Sequence, residues 1–428
     1  MQSCIDRDSA GTRTIKVGKV YVEVSDLLEH LLLGKPLNGI TRVILQSLSG
    51  LVNAYGANAV RLLAYDSLSK IMREKPAVLL AALYRKPSGR SLFAEHPLGA
   101  ALIVQFWAKA TPRTNDTLFH AGNWWWRPRA LQAFAQMKAQ SGAKAIFFIH
   151  DLIPIVRPEF VAPDHVERFK TGFAEVANHA DLLITSSKAA QNGIKKHLTA
   201  TGLPQTRVTQ VRLAHEFQVM PELGFHPLHA LFYAKQRHVQ QRDFDKLMGN
   251  LNQSPFALMV GTIENRKNVP TVLRAWRELS TSLSGTLPKL VLLGKWGQGA
   301  EEMKALLKIT NNINSRVLVL NSATDDQLEQ LYKACAFTIF VSQYEGWGLP
   351  IGESLWFGKN VIILNGSVSA QENLKTAAVV NEDVDRTQAS IAKALAGTSY
   401  KPVVGGHLRT INDFTEALAK AVSVSQTN

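Results

Sequence analysis

The sequence predicts an α/β protein of two domains, each built on a mostly parallel sheet, and three observations carry that reading. Short apolar, β-branched runs recur along the chain, too short for ordinary core helices and apolar enough to be buried on both faces, as parallel strands are. Several of these runs end in loops rich in glycine, histidine or hydroxyls and are followed by a helical pattern, the strand–helix order of a doubly wound sheet. At 428 residues the chain exceeds one ordinary core and divides into two units of about 200 residues.

Composition agrees with a folded globular chain, 46% hydrophobic and 19% charged. The two cysteines, Cys4 and Cys335, supply neither a disulfide framework nor a metal-binding set, which points to a reducing compartment. The polar start of the chain lacks the apolar centre of a signal peptide, and the longest apolar run, Pro97–Trp107, falls short of the roughly 20 residues a bilayer span needs. A cytoplasmic protein is expected.

Residues 251–428 hold 17 Lys and Arg against 15 Asp and Glu, so +12 of the formal +14 belongs to residues 1–250. That basic half suits an anionic partner, such as the inner face of the plasma membrane or a lipid-linked diphosphate, or it is a solvated surface with no partner.

The boundaries read as a polar tail over 1–16, a first domain over 17–255 ending in a linker at about 221–255, and a second domain over 256–428. A first strand is expected over Val17–Ser25, followed by a glycine-bearing loop from Gly34 that runs into a helix with apolar positions at Ile44, Leu45, Leu48 and Leu51. Residues 59–64 read as a second strand. The basic stretch from Lys70 to Arg90 and the apolar run after it fit neither a clean strand nor a clean helix, and an acceptor or membrane contact is expected there. Thr117–His120 is a short strand leading to Trp124-Trp125-Trp126. Three consecutive tryptophans cannot all point inward from one element, so at least one should face a cleft or interface. Lys144–Ile149 is a strongly apolar strand that ends in His150-Asp151, at the position where doubly wound sheets bind ligands. Asp151 has a second reading as the cap of the following turn. Asp181–Ser187, with a helix over Lys188–Leu198, and Val208–Val211 continue the sheet.

In the second domain, Phe256–Gly261 is a strand, and Arg266-Lys267 open the helix Val269–Leu279. Two cations at a helix start suit a diphosphate. Lys289–Gly294 and Val317–Leu320 are further strands, and Thr324 with Gln327 forms the pattern of a capping box. A final helix over Ile411–Val422 is expected to cross back to the first domain.

The stretch Val341–Gly358 lies between two buried-strand runs, Phe337–Val341 and Asn360–Leu364, and therefore reads as a strand-to-helix turn with a short helix. Pro350 suits the first helical position and Gly358 the C-terminal cap. Gly346 and Gly348 let the backbone approach a ligand at a helix N-terminus. Carboxylates beside a diphosphate would repel it, so Glu345 and Glu353 are better suited to accepting hydrogen bonds from the hydroxyls of a hexose and a ribose.

With their spacing inside Glu345-Gly-Trp-Gly-Leu-Pro-Ile-Gly-Glu353, these residues resemble the E-x7-E signature of the retaining GT-B glycosyltransferases, in particular family 4. The resemblance implies a GT-B fold, two Rossmann-like domains facing each other across a cleft, with a nucleotide-diphosphate sugar bound by the second. It implies catalytic roles for His150, placed over the donor sugar, and for Glu345, Lys267 and Arg266. Donor contacts are implied for Gly39, Gly261, Thr262, Gly346, Trp347, Gly348, Leu349, Pro350 and Glu353. Gly39-Ile40-Thr41-Arg42 matches a loop facing the cleft. Lys267 aligns on the family lysine, while Thr262 stands where many members carry arginine, a charge that Arg266 would replace. In relatives the region of Ser322 and Leu328 lies near the nucleotide base, which these two residues fit loosely.

No Asp-x-Asp motif lies on a suitable loop, Asp243-Phe-Asp245 falling in the expected irregular linker, so neutralisation of the diphosphate is expected without a metal or other cofactor. The resemblance implies a hexosyltransferase acting with retention on a saccharide or lipid-linked acceptor in polysaccharide or lipopolysaccharide synthesis, with GDP-mannose as the first donor to consider. Two other classes stay open at this stage. One is a basic nucleic-acid-binding protein, for which charge alone speaks; the other is a catalytically silent partner subunit of the same fold.

Overall fold

The computed structural model describes residues 6–7, 13–14, 18–32, 37–77, 107–217, 242–282, 287–364, 367, 372–373, 378–380, 387, 389 and 408–427. Two sheets organise these residues. The first carries β1 (Val20–Glu23), β2 (Val60–Asp66), β3 (Ile71–Pro76), β4 (Ala108–Lys109), β5 (Thr117–His120), β6 (Lys144–Ile149), β7 (Leu182–Thr185) and β8 (Val208–Gln210), in the order β8-β7-β6-β5-β1-β2-β3-β4. The second carries β9 (Phe256–Val260), β10 (Lys289–Leu293), β11 (Val317–Leu320), β12 (Phe337–Phe340), β13 (Asn360–Leu364) and β14 (Ala378–Val380), in the order β11-β10-β9-β12-β13-β14. The ladders of the second sheet are all parallel. In the first, β3 and β4 pair antiparallel at one edge.

That edge corrects the reading of the stretch after Lys70. Ile71-Met-Arg-Glu-Lys-Pro lies next to the two-residue edge strand β4, and its charges are paired across to β2, Glu74 with Arg61 and Arg73 with Asp66, so the segment is a strand without being an apolar run. Residues 78–106, most of the expected acceptor or membrane contact, lie outside the described residues, as does the linker up to residue 241. From 242 to 250 the chain is helical, so Asp243-Phe-Asp245 sits on a helix and not in an irregular segment.

The helices are α1 (Ser25–Leu32), α2 (Gly39–Tyr55), α3 (Pro128–Ser141), α4 (Pro163–His179), α5 (Lys188–Thr201), α6 (Val269–Ser282), α7 (Ala300–Ile309), α8 (Asp325–Ala334), α9 (Leu349–Trp356) and α10 (Ile411–Thr427). They cover both faces of each sheet. On one face of the first sheet, Val20, Val22, Ile44, Leu48, Phe414 and Leu418 form a single buried cluster. On the other, Phe134, Phe147, Phe169 and Phe173 pack together. Each fully buried side chain of this kind contributes about 1.5–3 kcal/mol relative to exposure. The last helix, α10, lies on α2, and the Tyr55 hydroxyl donates to the Ala419 carbonyl at 2.9 Å, so the end of the chain packs on the first domain.

The two units also share side chains. Trp347, from the loop between β12 and α9, is 4% exposed and belongs to the first domain's core cluster. Arg42 of α2 forms an ion pair with Asp325 of α8. Among the described residues no helix is long and apolar enough to cross a membrane.

Candidate active site

The strand ends that precede α9, α6 and the His150 loop meet between the two domains. The turn after β12 is shaped by glycine at two points. Gly348 has φ 83° and serves as N-cap of α9, a conformation that side chains with a Cβ rarely adopt. A Cβ on Gly346 would lie 2.2 Å from the His150 carbonyl oxygen, so that turn reaches the first domain only because no side chain intervenes. Two details of the expected geometry change here. Leu349, not Pro350, is the first helical residue, and Glu353 falls in the second turn of α9. Phe357, not Gly358, is the C-cap of the helix, and Gly358, φ 65°, follows it.

Glu345 lies against two cations. Lys267 Nζ is 2.5 Å and Arg266 Nη1 2.6 Å from the same oxygen, Oε1, and Arg266 also donates to the Tyr344 carbonyl at 2.9 Å and to Glu264 at 2.6 Å. Burial alone would raise the Glu345 carboxyl, but Lys267 and then Arg266 outweigh it and hold the group below its ordinary value, ionised. Gly261, at the end of β9, lies beside the Lys267 stem, and the Lys267 ammonium stands 4.9 Å from the centre of the Phe340 ring. Thr262 is exposed and takes no part in this cluster, while the neighbouring Arg266 does.

Glu353 has a different setting. It is 8% exposed, and the Tyr332 hydroxyl donates to its Oε2 at 2.7 Å. Burial raises its carboxyl, with Arg42 and the Tyr332 hydrogen bond only partly opposing the shift. Arg42 stands near but is bound to Asp325, over the Phe217 ring. Leu328 packs into the core beside Tyr332, whereas Ser322 is exposed. Gly39 opens α2 opposite the Leu349 side chain. Trp347 holds the loop rather than facing open space: its ring stacks on His215, and its carbonyl accepts from Asn373 at 2.7 Å.

His150 Nε2 lies 2.7 Å from the Ala121 carbonyl oxygen. A carbonyl only accepts, so Nε2 carries the proton and Nδ1 keeps its lone pair. Burial pushes the imidazole down to about 4, which leaves it neutral near pH 7. Asp151 accepts from the Ile153 N–H at 2.9 Å and thus caps the next turn, with burial raising its carboxyl.

The sequence reading passed over the network beneath this loop. Asp26 of α1 accepts from Asn123 Nδ2 at 3.1 Å and from Arg127 Nε at 3.0 Å, tying residues 121–127 to the first helix. Behind it, burial and then the charge of Asp26 push Glu23 up to about 7, and burial pushes its neighbour His120 down to about 4. A glutamate at the end of an otherwise apolar strand, Val20-Tyr-Val-Glu23, was the available signal.

A cavity of about 440 Å³ opens between the domains. His150, Asp151, Trp124 and Trp125 line it from the first domain, and Glu264, Arg266 and Gln298 from the second. Among the described residues no cluster of three or more His, Cys, Asp or Glu is arranged to hold a metal ion.

Comparison with known proteins fits this geometry. Residues 241–401 match the family model "Glycosyl transferases group 1", and residues 125–213 match "Glucosyltransferase 3-like, N-terminal domain". The chain is 26% identical over 325 residues to the serotype-specific mannosyltransferase WbdA of Escherichia coli, covering 73% of this chain and 38% of WbdA. It is 26% identical over 262 residues to the O-antigen chain mannosyltransferase B of Escherichia coli, covering 61% of this chain and 63% of that protein. The chain thus spans less than two thirds of the length of these relatives. Anabaena HepE in complex with UDP and glucose superposes with a TM-score of 0.61 at 14% identity, over 95% of this chain and 99% of HepE. Sucrose-phosphate synthase from Thermosynechococcus elongatus gives 0.57 at 13% identity, over 95% and 94%. At such identities the likeness is one of fold, and the fold is GT-B.

Proposed function

We propose that the chain moves a hexosyl group from a nucleotide-diphosphate sugar to a saccharide or lipid-linked acceptor, with retention and without a metal, a reading supported by the match of residues 241–401 to the group 1 glycosyl transferases. The observation that carries this reading is the convergence of Lys267, Arg266 and Glu345 at the ends of β9 and β12, facing His150 across the cleft.

The two cations are held together by one carboxylate oxygen, and a diphosphate offers them more negative charge than that carboxylate does. On donor binding the phosphates take over Lys267 and Arg266, and Glu345 is released to accept hydrogen bonds from the hexose hydroxyls. In the transfer step the bond from the anomeric carbon to the phosphate oxygen breaks and the bond to the acceptor oxygen forms on the same face. The acceptor's proton passes to the departing phosphate oxygen. Lys267 and Arg266 neutralise the charge that develops there, a contribution of about 3–4 kcal/mol for one well-placed donor. Neutral His150, its Nε2–H fixed on Ala121, offers Nδ1 as an acceptor toward the sugar. The buried Glu353, on the same helix, suits the ribose diol.

The mannosyltransferase relatives make GDP-mannose the first donor to test, and the UDP complex of a fold relative makes UDP-glucose the second. Purified protein incubated with each should release nucleoside diphosphate in the presence of mannosides or glucosides. Release from neither of these donors, nor from a wider panel of nucleotide sugars, would end the proposal.

A further inference from the structure

We infer that His120, a side chain of the first domain only 4% exposed, is a positioning residue: through the single peptide unit between Ala121 and Gly122 it fixes which nitrogen of His150 carries the proton. The task of His150 toward the sugar rests on the glycosyltransferase reading above; the placement of its proton does not.

Both polar atoms of that peptide unit are taken by histidines. Its carbonyl oxygen, on Ala121, accepts from His150 Nε2 at 2.7 Å, and its N–H, on Gly122, donates to His120 Nδ1 at 3.1 Å. The second bond requires a lone pair on Nδ1. Burial pushes the His120 imidazole down, so the ring is neutral near pH 7 and its one proton sits on Nε2, facing Glu23 Oε2 at 3.7 Å. Otherwise the ring has aromatic company, with the centres of Phe134 and Phe147 at 5.5 and 5.6 Å. An apolar side chain would pack there equally well, so what the histidine adds is the acceptor nitrogen.

A peptide unit is planar, so holding its N–H also aims its C=O. Donation into His120 polarises the amide and makes the Ala121 carbonyl a stronger acceptor for His150. The Gly122 backbone also lies so close to Asp26 that a Cβ would stand 2.6 Å from Asp26 Oδ2, which limits rotation of the unit. An acceptor that takes the N–H two residues on forms the ring of an Asx turn, in which an asparagine carbonyl plays the same part. Asparagine can therefore do what His120 does, and leucine, of similar size, cannot.

Nitrogen-15 NMR of the imidazoles in the full chain distinguishes the tautomers, with His120 and His150 assigned among the 12 histidines from His120→Asn and His150→Gln. At pH 7 both rings of the parent should be neutral with the proton on Nε2. In His120→Leu the His150 ring should become a mixture of the two tautomers. There kcat should fall about tenfold or more while nucleoside diphosphate affinity stays within about twofold, the fault lying at the sugar and not at the phosphates. His120→Asn should restore the single tautomer and bring kcat to within about threefold of the parent. A proton on Nδ1 of either ring in the parent, an unchanged His150 tautomer in His120→Leu, or a mixture in His120→Asn would overturn the inference. Should His120→Leu fail to fold, the parent and His120→Asn spectra decide it by the same criteria. Absence of turnover by the parent with every nucleotide sugar would count against the glycosyltransferase reading, while the tautomers would still decide this inference.

Discussion

Glu345 and Glu353 belong to one short motif and are buried or nearly so, yet their surroundings drive them in opposite directions. Glu345 lies against Lys267 and Arg266 and is held ionised below its ordinary range. Glu353 meets a tyrosine hydroxyl, with the nearest cation bound elsewhere, and is raised. The difference teaches that equal residues at fixed spacing need not share a role. The first is the counter-ion of a cation pair waiting for a stronger anion; the second is a buried acceptor that a neutral hydroxyl pair would suit.

The largest expected effect comes from removing a cation on the Glu345 side. Lys267→Ala should lower turnover by on the order of a hundredfold or more at saturating donor, measured as nucleoside diphosphate release. Glu345→Gln comes next and separates two effects. Transfer should fall by roughly tenfold because the hexose loses a charged acceptor, while nucleoside diphosphate should bind more tightly because the cations lose their competing anion. Weaker diphosphate binding in that variant would break the comparison. On the other side, Glu353→Ala should raise the donor KM by about tenfold while lowering kcat by less than about threefold, as loss of uniform binding does.

The pH dependence of stability should also separate the two residues. The folded value of Glu345 lies below its unfolded one, so its ion pairs contribute stability above the unfolded value that is lost as pH falls. Glu353 is raised, so its ionisation reduces stability as pH rises past the unfolded value. In thermal melts, Glu345→Gln should sit below the parent near pH 7 and approach it in acid. Glu353→Gln should gain on the parent as the pH rises from about 4 to 8. Smallest is Tyr332→Phe, expected to destabilise by about 1 kcal/mol in denaturant titration through the hydrogen bond that the carboxylate loses.

Much of this architecture was legible in the sequence, for a physical reason. Strands buried on both faces, such as Lys144–Ile149 and Phe256–Val260, must be continuously apolar, and that pattern survives in one dimension. The strand Ile71–Pro76, beside the edge and carrying charges paired with Arg61 and Asp66, is not, so it was read as irregular. The capping box of Thr324 and Gln327 is a local device and formed as read. The Lys267 and Arg266 pair was visible as a helix-start cluster, but its attachment to Glu345 joins residues 78 or more positions apart and needed the fold. So did the burial of Trp347 in the opposite domain, which a motif of glycines and glutamates does not encode. The tryptophan triplet announced a surface of some kind. Trp124 and Trp125 border the interdomain cavity while Trp126 is 48% exposed with Arg168 over its ring.

The central claim, that Lys267 with Arg266 is a diphosphate site held ready by Glu345, is tested most directly by calorimetric titration of nucleoside diphosphate and the matching monophosphate into the parent chain and Lys267→Ala. The diphosphate should bind the parent at least about tenfold more tightly than the monophosphate, equivalent to roughly 1.4 kcal/mol, and that margin should collapse in the variant. A margin that survives the loss of Lys267 would contradict the account.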